Sequence, residues 1–280
     1  MEKIILPQSD KESRGVEIEP GNNSEMIPNS IFKRFFLEVS SLTLFTLRFF
    51  KEAFKPPYEF NELIKQSFLI GYKSLPLVGI TGFIVGLVLT IQTRPTLVKF
   101  GAVSWLPAMV AVSIIREIGP VITALIFAGK VGSGIGAELA SMNVTEQIDA
   151  MQVSWTNPFK YLVVTRVLAA TLMLPVLVAF ADAIGLAGSF IGVNLQGHVS
   201  AYLFFSQIFQ SLGFNDLFPA FIKTFFFGFA VGLIGSYKGY NSNKGTEGVG
   251  KAANSAVVFA SLMVFLIDMV AVQITSMFQN

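Results

Sequence analysis

Long apolar runs separated by short polar connections dominate the 280-residue chain, and their length is that of membrane-crossing helices. The cleanest run, "SLPLVGITGFIVGLVLTIQT" from Ser74 to Thr93, contains no charge and is long enough to cross about 30 Å of hydrocarbon. Gly82 and Gly86 stand four apart in it and give a face where another helix can approach closely. Further apolar runs cover 105–131, 160–190, 218–237 and 253–277. Each carries a charge: Arg116-Glu117 in the second, Asp182 in the third, Lys223 near the start of the fourth and Asp268 in the fifth. The pattern predicts five spans.

Two polar stretches have helical periodicity of their own. Residues 31–55 place Phe32, Phe35, Phe36, Val39, Leu42, Phe49 and Phe50 on one arc. Arg34, Glu38, Ser41, Arg48, Glu52 and Lys55 fall on the opposite arc. Seven charges make a poor span but a good interfacial helix, ended by Pro56-Pro57. The alternative is a helix packed on a soluble core. The second stretch, "ASMNVTEQIDAM" from 140 to 151, reads as a short capped helix in water. Asn143 is placed to cap it, Glu146 stands at its third position, and Val144, Ile148 and Met151 share a face. The chain thus divides into a polar flexible tail over 1–30, an amphipathic interfacial helix over 31–57 and a five-span domain over 58–280.

Composition agrees with a membrane protein. Hydrophobic residues make up 52% of the chain and charged ones 14%, where a soluble domain carries about a quarter charged. Ten of the 20 Lys and Arg and ten of the 18 Asp and Glu lie before residue 74. A net charge of +2 gives no reason to expect nucleic acid. The tail lacks the apolar core of a signal peptide.

Basic residues also set the expected orientation. With the N-terminus in the cytoplasm, that side holds the basic residues before Ser74, then Lys130, Lys160, Arg166, Lys238, Lys244 and Lys251. The opposite side holds Arg94 and Lys99, and the loop expected over 192–217 has neither Lys nor Arg. The expected topology is N-in, C-out, which puts 140–151 in the cytoplasm.

Enzyme signatures are missing. With no cysteine and one histidine, His198, thiol chemistry is excluded and a metal site is not expected. "AGKVGSGIGAELA" is rich in glycine, but GxxxxGK[ST] is absent and residue 124 is alanine. The run is better suited to tight packing of the second span. No cofactor is expected, and any ATP hydrolysis belongs to another chain.

The intramembrane charges are the stronger lead, because a charge near the bilayer centre costs at least about 2.5–3.5 kcal/mol and so faces a partner or a wet cavity. Pro120 takes the helical donor away from the Arg116 carbonyl and is expected to kink the span beside both charges. Arg116, Glu117, Lys223 and Asp268 therefore either line a cavity or form internal salt bridges.

Residues 116–151, "REIGPVITALIFAGKVGSGIGAELASMNVTEQIDAM", resemble the MlaE/YrbE family, permeases of ABC-type lipid transporters that work with MCE-domain proteins. The likeness runs from about residue 60 to the C-terminus, through "LTIQ" at the end of the first span and "GYKGYNSNKGTEGVGKAANSAVV" before the last. Lys130 and Lys251 stand where the family commonly has arginine. The resemblance implies a homodimer of five-span subunits in a bacterial inner membrane. It also implies a cytoplasmic ABC ATPase, a periplasmic ring of MCE domains and a phospholipid substrate held between the subunits. It places Gln92, Arg116, Glu117, Lys223 and Asp268 at or near the lipid site. Asn143, Val144, Glu146, Ile148, Asp149 and Met151 fall on the ATPase-coupling helix.

Two other classes fit the residues alone. One is a proton-coupled secondary transporter using Glu117, Asp182 and Asp268, against which stands an odd number of spans without an inverted repeat. The other is a non-transporting membrane scaffold.

Overall fold

A computed structural model describes residues 26–195, 197–243 and 245–279, and among these every regular element is helical. The expected tail lies outside the described residues as far as residue 25, as does Lys244. Five helices are long and apolar enough to cross a membrane, and the protein is an all-α integral membrane protein. The elements are α1 (Met26–Ala53), α2 (Phe60–Lys99), α3 (Val103–Val144), α4 (Gln147–Val153), α5 (Phe159–Asn194), α6 (Ala201–Ser211), α7 (Phe214–Tyr240) and α8 (Thr246–Gln279). The spans are α2, α3, α5, α7 and α8.

The chain forms two compact units, 1–44 and 45–280. In the first, the described part of α1 exposes Phe36, Leu37, Val39 and Leu44. The side chains of Phe32, Arg34 and Phe35 are outside the described ones. In the second, the last turns of α1 depart from the expected two-faced pattern. Phe49, expected among acyl chains, is buried with Phe45 against Phe159, Val163 and Leu233. Arg48, from the expected polar arc, lies 4.2 Å over the Phe159 ring. Aromatic packing and a cation–π contact outweigh the separation of faces here.

Each observed span contains its expected apolar run and extends beyond it. In α2 the extension is possible because Glu62 is satisfied internally. Its Oε1 accepts from Gln66 at 2.7 Å and its Oε2 from the Tyr161 hydroxyl at 3.2 Å. A charge ends a hydropathy window without ending a helix.

The bundle is built on close backbone contact. A β-carbon on Gly86 would stand 1.8 Å from the Gly185 carbonyl oxygen, and one on Gly82 2.7 Å from that of Ala181. The Gly82/Gly86 face therefore serves as expected, seating α2 on α5. One turn further along, Thr90 Oγ1 and Ser189 Oγ join at 2.8 Å, a polar clasp in a surrounding without water. The glycine run of α3 serves likewise: Gly132 and Gly136 bring α7 within contact of the α3 backbone, at Gly235 and Gly239.

Two features were not expected. The stretch 192–217, read as a loop, contains the amphipathic helix α6, capped by Ser200 and anchored by buried Phe204 and Ile208. And α3 is not one regular helix. It contains π turns at Ile114–Ile118 and Ala128–Gly132, each one residue wider than an α-turn.

Candidate functional site

The first π turn determines where the charged pair points. Gly119 N–H donates to the Ile114 carbonyl, five residues back, and a fresh α-segment starts at Gly119 with Pro120 in its first turn. A proline there lacks a donor that the first turn does not need. The break expected at Pro120 thus takes the form of a widened turn before the proline.

Arg116 and Glu117 leave that turn toward one helix, α7, and meet it at different heights. Arg116 Nη1 lies 3.2 Å from Asp216 Oδ1, and Glu117 Oε2 lies 2.6 Å from Lys223 Nζ. Asp216 and Lys223 are seven residues apart, two turns on one face and about 10 Å along the axis. Lys223 Nζ also donates to Asp268 Oδ1 of α8 at 2.9 Å. One ammonium therefore ties α3, α7 and α8 together. Its side chain is only 6% exposed, against 43% for Glu117 and 35% for Arg116. A cavity of about 20 Å³ opens between Arg116, Glu117, Asp216, Lys223 and Thr275.

Of the five residues expected at a lipid site, four are brought together: Arg116, Glu117, Lys223 and Asp268. Of the two alternatives the sequence left open, the structure shows ion pairs at all four, and Arg116, Glu117 and Lys223, though not Asp268, also line a small cavity. Gln92 is not among them; it is exposed on α2, near the end that carries Lys99. Asp216 was missed. It precedes the apolar run that defined the fourth span, and its Oδ2 also accepts from Gly213 N–H at 3.1 Å, closing the start of α7. An acidic residue three positions after a glycine, just before an apolar run, was the available signal. A second missed pair is Arg166 with Glu138, at 2.8 and 3.3 Å, with Arg166 3% exposed. Asp182 stands apart from these: its Oδ1 is buried against Gly119 and has no hydrogen-bond partner among the described residues.

The short helix after α3 differs from its expected form. Asn143 is in the last turn of α3 and caps nothing; its amide donates to the Ser242 carbonyl at 2.9 Å, tying α3 to the turn between α7 and α8. Glu146 is the residue before α4, in the left-handed region at φ 57°, and Asp149 takes the third helical position instead. Val144 closes α3 and is half-buried. Ile148 is 4% exposed and belongs to the main core, against which Met151 packs. The apolar face of α4 is thus turned inward, onto the core of the bundle. What it leaves outside are Val153, 82% exposed, and Trp155, 99% exposed.

No group of acidic or histidine side chains suited to a metal occurs among the described residues.

Comparison with known proteins shows the family. The family model described as Permease MlaE matches residues 63–274. A probable ABC transporter permease protein of Rickettsia felis is 40% identical over 245 residues, covering 86% of this chain and 94% of the relative. The intermembrane phospholipid transport system permease protein MlaE of Haemophilus influenzae is 36% identical over 213 residues, covering 75% and 81%. A probable ABC transporter permease protein of Synechocystis is 34% identical over 203 residues, covering 72% and 77%. Matched along most of its length, this five-span chain belongs to the MlaE family of ABC transporter permeases.

Proposed function

We propose that this permease is the membrane subunit of an ATP-driven phospholipid transporter in a bacterial inner membrane. It works as a homodimer, N-terminus in the cytoplasm, and exchanges lipid with a periplasmic MCE-domain partner. The observation that carries the reading is the charged cluster of Arg116, Asp216, Glu117, Lys223 and Asp268 inside otherwise apolar spans. A phospholipid needs apolar walls for its tails and fixed polar groups for its phosphate. Lys223 is enclosed and holds the helices; Arg116 and Glu117 reach the rim, where a headgroup arrives. The cavity of about 20 Å³ holds roughly one water, so the lipid lies outside it, between two copies of the chain. Gln92, exposed on α2, faces the second copy.

ATP hydrolysis falls to a separate cytoplasmic chain, since GxxxxGK[ST] is absent. That chain grips the outward side of α4 and the exposed Val153 and Trp155 beyond it. The amphipathic α1 lies along the membrane surface through the unit formed by its first part.

The test is purification of the intact assembly from native membranes in mild detergent, followed by mass spectrometry of proteins and lipids. An ATPase chain, an MCE-domain chain and phospholipid in fixed ratio to a dimer are expected. A preparation with no ATPase at any detergent strength would sink the reading.

A further inference from the structure

At the end of the bundle where α2 stops, a second site stands apart from the charged cluster. A cavity of about 210 Å³ lies between the end of α2, the start of α3, the end of α5 and α6. Arg94 of α2 points into it. Its Nη1 is buried and has no hydrogen-bond partner among the described residues. The loop after α5 closes over the same group so tightly that a β-carbon on Gly197 would stand 2.9 Å from Nη2. A guanidinium is always charged and presents a planar fork of donors, so leaving a buried arm unmade is costly unless a ligand completes it.

The rest of the lining indicates what that ligand is. Ser104, His198 and Gln207 add polar side chains, each able to donate a hydrogen bond, and no carboxylate among the described residues lines the cavity. Leu106, Val193 and Leu203 supply an apolar wall. The combination suits an oxyanion joined to an apolar body. Trp105 and Tyr202, each next in sequence to a lining residue, are exposed. Exposed aromatic side chains at a span's end mark the level of lipid headgroups. An arginine fork at that level meets phosphate oxygens with matching geometry.

We propose that this cavity binds the phosphate of a membrane phospholipid, with Arg94 as the anion-binding residue and the glycerol and first methylenes against the apolar wall. The site is separate from the Arg116–Lys223 cluster and does not depend on which cargo the transporter carries. It holds a lipid at the rim of the bundle, at the membrane–water boundary.

The chain has no cysteine, so Ser104→Cys in the full-length protein places a single thiol at the mouth of the cavity. Its rate of modification by a polar maleimide is measured on delipidated protein in detergent. The additions are dioleoyl phosphatidylglycerol, dioleoylglycerol or inorganic phosphate. Phosphatidylglycerol is expected to slow labelling several-fold, whereas dioleoylglycerol and phosphate leave it unchanged. Equal protection by dioleoylglycerol would overturn phosphate recognition, and this comparison needs no change at Arg94. Equal protection by inorganic phosphate would overturn the lipid assignment in favour of a free anion. Adding Arg94→Gln is expected to abolish protection and Arg94→Lys to keep part of it. Undiminished protection in a folded Arg94→Gln protein would remove Arg94 from the site.

Discussion

Lys223 Nζ sits 2.6 Å from Glu117 Oε2, and the sequence separates the two residues by more than a hundred positions. The contact turns two costly intramembrane charges into a joint between α3 and α7, with Asp268 of α8 as its third member. Removing one partner strands the others. Lys223→Met is expected to cost about 1–3 kcal/mol, because it leaves Asp268 largely enclosed and unpaired while Glu117 stays part-exposed. Glu117→Gln keeps shape and hydrogen bonding and should cost less. Thermal unfolding in detergent compares the two, and equal midpoints would show that Lys223 is not the keystone.

Arg116 separates a structural from a functional role. Its pair with Asp216 is part-exposed, so Arg116→Ala is expected to lower stability by about 1 kcal/mol or less. If the side chain also meets the lipid phosphate, bound phospholipid should fall sharply on the same preparation. Full lipid occupancy together with a collapsed melting temperature would make it a purely structural residue.

The two sides of α4 make opposite forecasts. Ile148→Asp buries an unpaired carboxylate in the core and should reduce the yield of folded permease. Trp155→Ala removes a side chain that touches little of its own chain, so stability should be unchanged. Loss of the ATPase from the Trp155→Ala complex, read by size-exclusion chromatography, would support docking there. Retention of the ATPase at full stoichiometry would rule it out.

Helix contact can be probed with two alanines. Gly86→Ala drives a methyl into the Gly185 carbonyl and should destabilise by about 1–3 kcal/mol, as overpacking does. Gly129→Ala meets nothing within 4 Å and should be neutral or slightly stabilising. Similar melting points for both variants would mean that α2 and α5 are further apart than described.

Dimer formation is tested with one thiol. Gln92→Cys in this cysteine-free chain should give a cross-linked dimer on a non-reducing gel. Only monomer, with the thiol shown to be reactive, would count against a second copy facing α2.

The spans were legible because their chemistry repeats along twenty or so residues, and the Gly82/Gly86 contact because small residues four apart have few other uses. Direction within the bundle was harder to read. Ile148 carries the same apolar signal whether it faces a partner or its own core, and only the packing of α4 distinguishes them. Asp216 was overlooked because it precedes its apolar run, although its pairing with Arg116 is what gives that arginine a fixed place. The π turns leave no mark in a reading that assumes 3.6 residues per turn throughout. Helix α6 was hidden by its small size and by the absence of Lys and Arg over 192–217.

The widened turn at Ile114–Ile118 makes α3 adjustable. An extra residue in a helix is a stored step of phase: passing it along by one position rotates the segment it crosses by roughly 100° and advances it about 1.5 Å, with the helix still hydrogen-bonded. Arg116 and Glu117 ride on this turn, so a shift of the bulge would exchange the side chains presented to Asp216 and Lys223. A shift of one position either way would set one of these two ions against a like charge and the other against an isoleucine, so the two ion pairs select one phase out of those the turn allows.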